Sequence, residues 1–193
     1  MIEDFFNWDV NVFLYFNNLG TPQWDAFWLF ITEKETWIPL YILFIILLYL
    51  KFGWKKTLVA GICIALMITS ADQFTNILKN GFQRFRPCHN VDIQGMFRAI
   101  GCEGRGKYGF TSAHASNHMA VAIFVGMVLK QHYKYLLYLL LVWALMIAYS
   151  RVYVGVHFTG DIFFGTIIGI IAGIVFFKLY QFILKKYKFQ LEK

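Results

Sequence analysis

The sequence predicts an all-α membrane protein, a polytopic bundle of five transmembrane helices preceded by interfacial amphipathic helices. Three observations carry that expectation. Apolar residues fill 59% of the 193 positions, and Phe alone occurs 21 times. Charged residues make up only 15%, against roughly 25% in ordinary soluble domains. Uncharged apolar runs recur along the chain, bounded by Lys, Tyr, Trp or polar residues. A soluble chain of this length could not bury that much apolar surface, because its surface-to-volume ratio is too high. A lipid-embedded chain need not.

The first 34 residues form a segment of their own, 1–34 ahead of a transmembrane domain over 35–193. Phe6, Trp8, Val12, Phe13, Leu14 and Phe16 alternate with Asn7, Asp9, Asn11, Asn17 and Asn18. The breaker Gly20-Thr21-Pro22 follows, then Trp24, Phe27, Trp28 and Phe30. The pattern predicts two short helices lying in the membrane interface. A sixth span is the alternative, but it would carry acidic and amide side chains into lipid. The opening Met1-Ile2-Glu3-Asp4 is acidic where a cleavable signal peptide would be basic.

Five runs then follow, at 37–50, 57–71, 113–129, 135–149 and 162–177. Each falls short of the roughly 20 residues of an ideal span. Each can lengthen through flanks that suit the headgroup region, the second through Asp72 to Leu78 and the fifth through Lys178 to Leu184. Orientation comes from the short loops. Lys51, Lys55 and Lys56, then Lys130 and Lys134, then Lys185, Lys186, Lys188 and Lys193 share one face if there are five spans. The positive-inside tendency makes that face cytoplasmic. The N-terminus, the long loop after Lys79 and the turn near Arg151 then lie outside.

The net charge of +7 does not suggest nucleic acid, because the basic residues form no basic-aromatic stripe. Several do sit on the outer face, where the charge tendency should have removed them. Lys79, Arg84 and Arg86 follow the second run, Ser112 and His114 open the third, and Arg151, His157 and Asp161 link the fourth to the fifth. Taken singly, each has a structural reading. Arg84 or Arg98 alone would be a snorkelling anchor, and His157 with Asp161 a simple i,i+4 pair. Together, three distant segments end at one membrane surface, where Arg and Lys can converge on an anion.

The ordered spacing is what singles them out. It runs Lys79, six residues, Arg86-Pro87; then Thr111-Ser112-Ala113-His114; then Ser150-Arg151, five residues, His157, three residues, Asp161. In these three blocks the chain resembles the type 2 phosphatidic acid phosphatase (PAP2) superfamily, which also includes vanadium haloperoxidases. The first and third blocks match in full. The second departs, with Thr111 where Pro is usual and Ala113 where Gly is usual.

The resemblance implies roles that elementary chemistry supports. His157 would attack phosphorus and carry it as a phosphohistidine. Asp161, one turn on, would orient the imidazole and stabilise its positive charge. His114 would protonate the leaving oxygen, then deprotonate the hydrolytic water. Lys79, Arg86 and Arg151 would neutralise the phosphoryl oxygens. Ser112 and the Ala113 N–H, at a helix start, would complete the anion site.

No metal or cofactor is expected. Cys88 and His89 adjoin, but no ligand set of sensible spacing accompanies them. Asp72 is either functional or a buried partner within the bundle, His118 could merely line the mouth, and Cys63 reads as packing. Cys88 and Cys102 share the outer loop and could pair in an oxidising compartment. The expected activity is a lipid phosphate or diphosphate phosphatase at the outer face of the cell membrane, with phosphatidylglycerophosphate, phosphatidic acid, undecaprenyl diphosphate and lipid A all open as substrates. A phosphotransferase of the same family is the alternative. A lipid-phosphate binding or transport protein would need the cations but not His157 paired with Asp161.

Overall fold

The computed structural model describes residues 2–187, with side chains from Phe6 onward. Lys188 and Lys193 of the basic tail, and the side chains of Glu3 and Asp4, lie outside the described residues. Six α-helices follow in order among them, α1 (Ile2–Asn18), α2 (Pro22–Thr32), α3 (Ile38–Phe82), α4 (Ala113–Leu129), α5 (Leu136–Tyr153) and α6 (Thr159–Lys186). The all-helical bundle expected from the sequence is the fold.

The first two apolar runs share one helical stretch, α3, whose 45 residues would extend roughly 67 Å if straight, more than twice a hydrocarbon core of about 30 Å. It is not straight. Gly53 interrupts it at φ 73°, ψ 172°, a backbone conformation that only glycine adopts without strain. The two arms then face each other, Ile45, Leu48 and Tyr49 lining one groove with Leu58, Gly61 and Ile62. The Lys51–Lys56 break in the sequence is therefore a one-residue corner. Among the described residues the α3 stretch, α5 and α6 are long and apolar enough to cross a membrane, while α4 is shorter.

α4 is short because it is the core. Its buried residues point in every direction, from Met119 and Ala122 to Phe124 and Val128, as expected of a helix that is apolar all round. α3, α5 and α6 surround it. α6 comes closest through Gly165, Gly169 and Gly173, spaced four apart. A Cβ on Gly165 would lie 2.5 Å from the Ser112 carbonyl oxygen, and one on Gly173 2.7 Å from Ile123 Cβ. Small residues in this register let two backbones approach.

α1 and α2 are helices, as expected, and they pack on α5 and α6 at the end where those helices meet. Their polarity is not what a simple amphipathic reading gives. Asp9 and Asn17 of α1 are fully buried, while Trp8 and Tyr15 are 60% and 65% exposed. Asn17 explains its own burial by donating to the Val152 and Tyr153 carbonyls, at 3.0 and 2.9 Å, and accepting from Arg98 N at 2.7 Å.

The α4–α6 contact yields a test. Gly169→Leu should force the two helices apart and destabilise the fold by roughly 1–3 kcal/mol, the usual cost of overpacking. A lowered melting temperature in detergent checks it, with Gly61→Leu, where a Cβ meets nothing within 4 Å, as the tolerant control.

Candidate active site

The Ser-Arg and His of the third block meet because of how α5 ends. Gly155, at φ 81°, reverses the chain. Its N–H bonds the Val152 carbonyl at 3.1 Å, and the Val156 N–H bonds the Arg151 carbonyl at 3.1 Å. That pair of bonds is the Schellman closure of a helix. The His157 N–H reaches the same Arg151 carbonyl at 3.3 Å, so five intervening residues bring Arg151 and His157 together. Phe158 then starts α6, and its N–H donates to Asp161 Oδ2 at 3.1 Å, half of a capping box.

His157 is 2% exposed and Asp161 fully buried. His157 Nδ1 lies 3.2 Å from Asp161 Oδ2, and its Nε2 lies 2.7 Å from Arg86 Nη1. A carboxylate on one side and a guanidinium donor on the other assign the proton to Nδ1 and leave the lone pair on Nε2. Burial, reinforced by the charges of Arg86, Arg151, Lys79 and Arg105, pushes the His157 pKa well below the ordinary histidine value. The resting ring is neutral, with its free lone pair facing a cation that phosphate could displace.

Arg86 belongs to an extended segment. Arg86 N donates to the Lys107 carbonyl at 3.0 Å and Gly109 N to the Arg84 carbonyl at 2.9 Å. Extended backbone is favoured before Pro87, and it places residues two apart on the same side. Arg84 and Arg86 therefore point inward together while Phe85 stacks outside on Tyr108. Gly109 must be small, since a Cβ there would come within 2.9 Å of Arg86 Cγ and 3.1 Å of Asp161 Oδ2.

Two residues read as snorkelling anchors prove otherwise. Arg84, its side chain 7% exposed, bridges Asp9 Oδ2 at 2.7 Å and Asp161 Oδ1 at 3.0 Å. Its guanidinium lies between the rings of Phe6 and Phe158. Arg98 holds both oxygens of Asp25 at 2.7 Å, tying the outer loop to α2. An anchor is the default for an isolated arginine, but these two have carboxylate partners far away in sequence.

Ser112 caps α4, its Oγ accepting from Ala115 N at 3.4 Å, and its N–H donates to the Asp161 carbonyl at 3.0 Å. Among non-glycine described residues only Gln83 has positive φ, so Ala113 meets no demand for glycine. His114 follows on α4, half-buried, within electrostatic reach of Arg151, His118, His157 and Arg105. Arg151 is almost fully buried and donates to Thr32 Oγ1 at 2.5 Å. Lys79 Nζ donates to Asn76 on its own helix, at 3.4 Å, and its charge reaches His157. The structure thus gathers all eight sequence-selected residues at one end of the bundle.

It also adds what the three blocks omit. Arg105 acts electrostatically on Arg86, His114, Arg151 and His157. It lies just past the Cys88–Cys102 disulfide, its Nε donating to the Gly101 carbonyl at 3.1 Å, and Gly101 N is tied to the Val154 carbonyl at 2.9 Å. Asp72, half-buried, accepts from Asn117 Nδ2 at 2.9 Å. His118 is 6% exposed, with Nδ1 2.8 Å from the His114 carbonyl. Cys63 is free and buried. Among the described residues no three His, Cys, Asp or Glu side chains cluster as a metal site would.

At one end of the bundle, then, an imidazole is backed by a carboxylate on one side and faces a guanidinium on the other. The PAP2 superfamily model matches residues 58–185, and the chain belongs to that superfamily. It is 34% identical over 179 residues to a lipid A 4′-phosphatase of Bacteroides thetaiotaomicron, covering 92% of this chain and 79% of that protein. It is 32% identical over 175 residues to a lipid A 4′-phosphatase of Porphyromonas gingivalis, covering 89% and 72%. Among solved structures it resembles Aquifex aeolicus LpxE, with a TM-score of 0.62, 25% identity and coverage of 88% of this chain and 94% of that one. A PAP2-type phosphatidylglycerolphosphate phosphatase of Bacillus subtilis shares the fold, with a TM-score of 0.71 at 18% identity and coverage of 91% and 85%. The protein is a membrane-embedded lipid phosphatase.

The depressed pKa of His157 fixes a pH dependence. Below about pH 6.5 the unfolded chain takes up a proton at this histidine that the folded chain refuses. Its contribution to stability is therefore present above that pH and is lost as pH falls towards the folded value. Melting curves at pH 7.5 and 5.5 should show wild type losing more stability than His157→Gln. Equal losses would mean that His157 titrates normally in the fold.

Proposed function

We propose that the chain removes a phosphate from a lipid A-type glycolipid through a phosphohistidine on His157. The observation that carries the mechanism is the ring's environment, with Asp161 on Nδ1 and Arg86 on Nε2. Nε2 would attack phosphorus in line, forming an N–P bond as the P–O bond to the lipid breaks. His114 would give its proton to the departing oxygen. Water would then attack the phosphohistidine, His114 would take a proton back, and inorganic phosphate would leave with His157 neutral again. Lys79, Arg86 and Arg151, with Ser112 and the Ala113 N–H, would hold the phosphoryl oxygens throughout. These cations would supply the charge neutralisation without metal or cofactor.

The substrate class rests on the two lipid A 4′-phosphatases, which this chain matches over most of their length. An apolar cavity of about 400 Å³ between the arms of α3 and α4 supports a lipid with long chains. It is lined by Tyr41, Phe44, Leu48, Ile64 and His118, with Lys34 among its walls. We place five spans in the bilayer, the two arms of α3 with α4, α5 and α6 forming the catalytic domain over 35–193. Residues 1–34 lie in the outer interface, where the exposed Trp8, Tyr15, Trp24 and Phe30 suit the headgroup level. The site then faces outward from the inner membrane.

Purified enzyme should release phosphate from doubly phosphorylated lipid A with EDTA present, at a rate above that for phosphatidic acid, phosphatidylglycerophosphate or undecaprenyl diphosphate. Mass spectrometry of the product should locate the loss at the 4′ position. His157→Ala should abolish turnover, and His114→Ala should spare aryl phosphates, whose leaving groups need less protonation, more than lipid phosphate. Turnover by His157→Ala, or activity that EDTA removes and a divalent ion restores, would overturn the mechanism. Faster release from one of the other lipids would overturn the substrate.

A further inference from the structure

Asp9 is a fully buried carboxylate that the proposed chemistry does not use. It lies on α1, outside the 58–185 region that the family model matches, and about 70 residues before the first sequence block. Its two oxygens have different partners. Oδ1 accepts from Gly160 N at 2.7 Å, in the first turn of α6. Oδ2 accepts from Arg84 Nη1 at 2.7 Å, and the same nitrogen donates to Asp161 Oδ1 at 3.0 Å. The other oxygen of Asp161 holds His157 Nδ1 and Phe158 N.

The chain of contacts is continuous, from Asp9 to Arg84, from Arg84 to Asp161, and from Asp161 to the nucleophile. Resting on the phosphohistidine reading above, we infer that Asp9 is a positioning residue for His157, acting through Arg84. A guanidinium bonded to Asp161 alone would draw electron density from the carboxylate that must support a cationic, phosphorylated imidazole. Shared with Asp9, and clamped between the Phe6 and Phe158 rings at 4.4 and 4.1 Å, Arg84 fixes the orientation of Asp161 while giving it only part of its charge. The Gly160 bond holds the whole turn against α1. The amino-terminal helix thereby becomes part of the catalytic unit.

Asp9 is one of several charges around His157. Arg86 and Lys79 face the ring from the α3 side, His114 from α4, Arg151 from α5, Asp161 from α6 and Arg105 from the segment after the disulfide. A variant that changes only Asp9 leaves all of these in place. Asp9→Asn keeps the size and an acceptor but removes the charge.

The test compares wild type, His157→Ala, Asp9→Asn, Arg84→Met and the double variant on one lipid phosphate over a pH series. Asp9→Asn should lower kcat roughly tenfold or more with KM within about threefold, since the loss falls on the transition state. The acid limb of kcat/KM should move down by about half a unit or more, as one negative charge leaves the neighbourhood of His157. Asp9→Asn should cost far less in the Arg84→Met background, because its route to Asp161 is already cut. If Asp9→Asn fails to fold, Asp9→Glu carries the test and should keep the wild-type acid limb. A wild-type kcat and pH profile in Asp9→Asn, full additivity with Arg84→Met, or a shifted limb in Asp9→Glu would each overturn the proposal. Failure of the underlying phosphohistidine reading looks different, because His157→Ala would then still turn over.

Discussion

Asp161 is the constraint on which this end of the molecule depends. A carboxylate with no exposed surface is costly unless every lone pair is matched. Here Phe158 N, His157 Nδ1 and Arg84 Nη1 supply the partners, and its carbonyl receives Ser112 N. Those four contacts join the start of α4, the start of α6, the end of α5 and the loop after α3. This buried carboxylate is thus the junction of the bundle. Removing it would leave Arg84 without one of its two anions and His157 without a fixed tautomer.

The cations around it are held by the same logic. Arg84 is neutralised by two carboxylates, and Arg98 by Asp25, whose pKa the Arg98 hydrogen bonds lower. Among the described residues Arg86 and Arg151 pair with no carboxylate, only with a carbonyl, an imidazole or a hydroxyl. The basic residues therefore divide into those neutralised by a carboxylate and those that, on the proposed function, would meet a phosphate. Electrostatic strain in the resting enzyme is concentrated where the substrate's charge would relieve it.

The spans and the site were legible in the sequence for different reasons. The spans were written in composition, because lipid tolerates long apolar runs and few charges. The site residues were written in spacing, since Arg151 and His157 are joined by a Schellman turn and His157 and Asp161 by one helical turn, both of which fix residue counts. What escaped was long-range. Nothing local distinguishes the buried Asp9 from the other polar residues of α1, and Arg84 looks like an anchor until Asp9 is placed beside it. One signal was available: Arg84 and Arg86 stand two apart before a proline, so an extended backbone sends both to the same side. The separation of the first two runs was legible too, because the Lys-bearing break between them contains Gly53, where the helical backbone is interrupted.

The central claim is that phosphorus is transferred to His157, and it can be observed as a bond. A phosphoramidate survives alkaline quenching, so enzyme mixed briefly with lipid phosphate, stopped at high pH and digested can be mapped by mass spectrometry. The account predicts added phosphate on His157 and nowhere else, accumulating further in His114→Ala with an aryl phosphate because the water step loses its base. Phosphate on another side chain, or none at all while turnover proceeds at its normal rate, would contradict it.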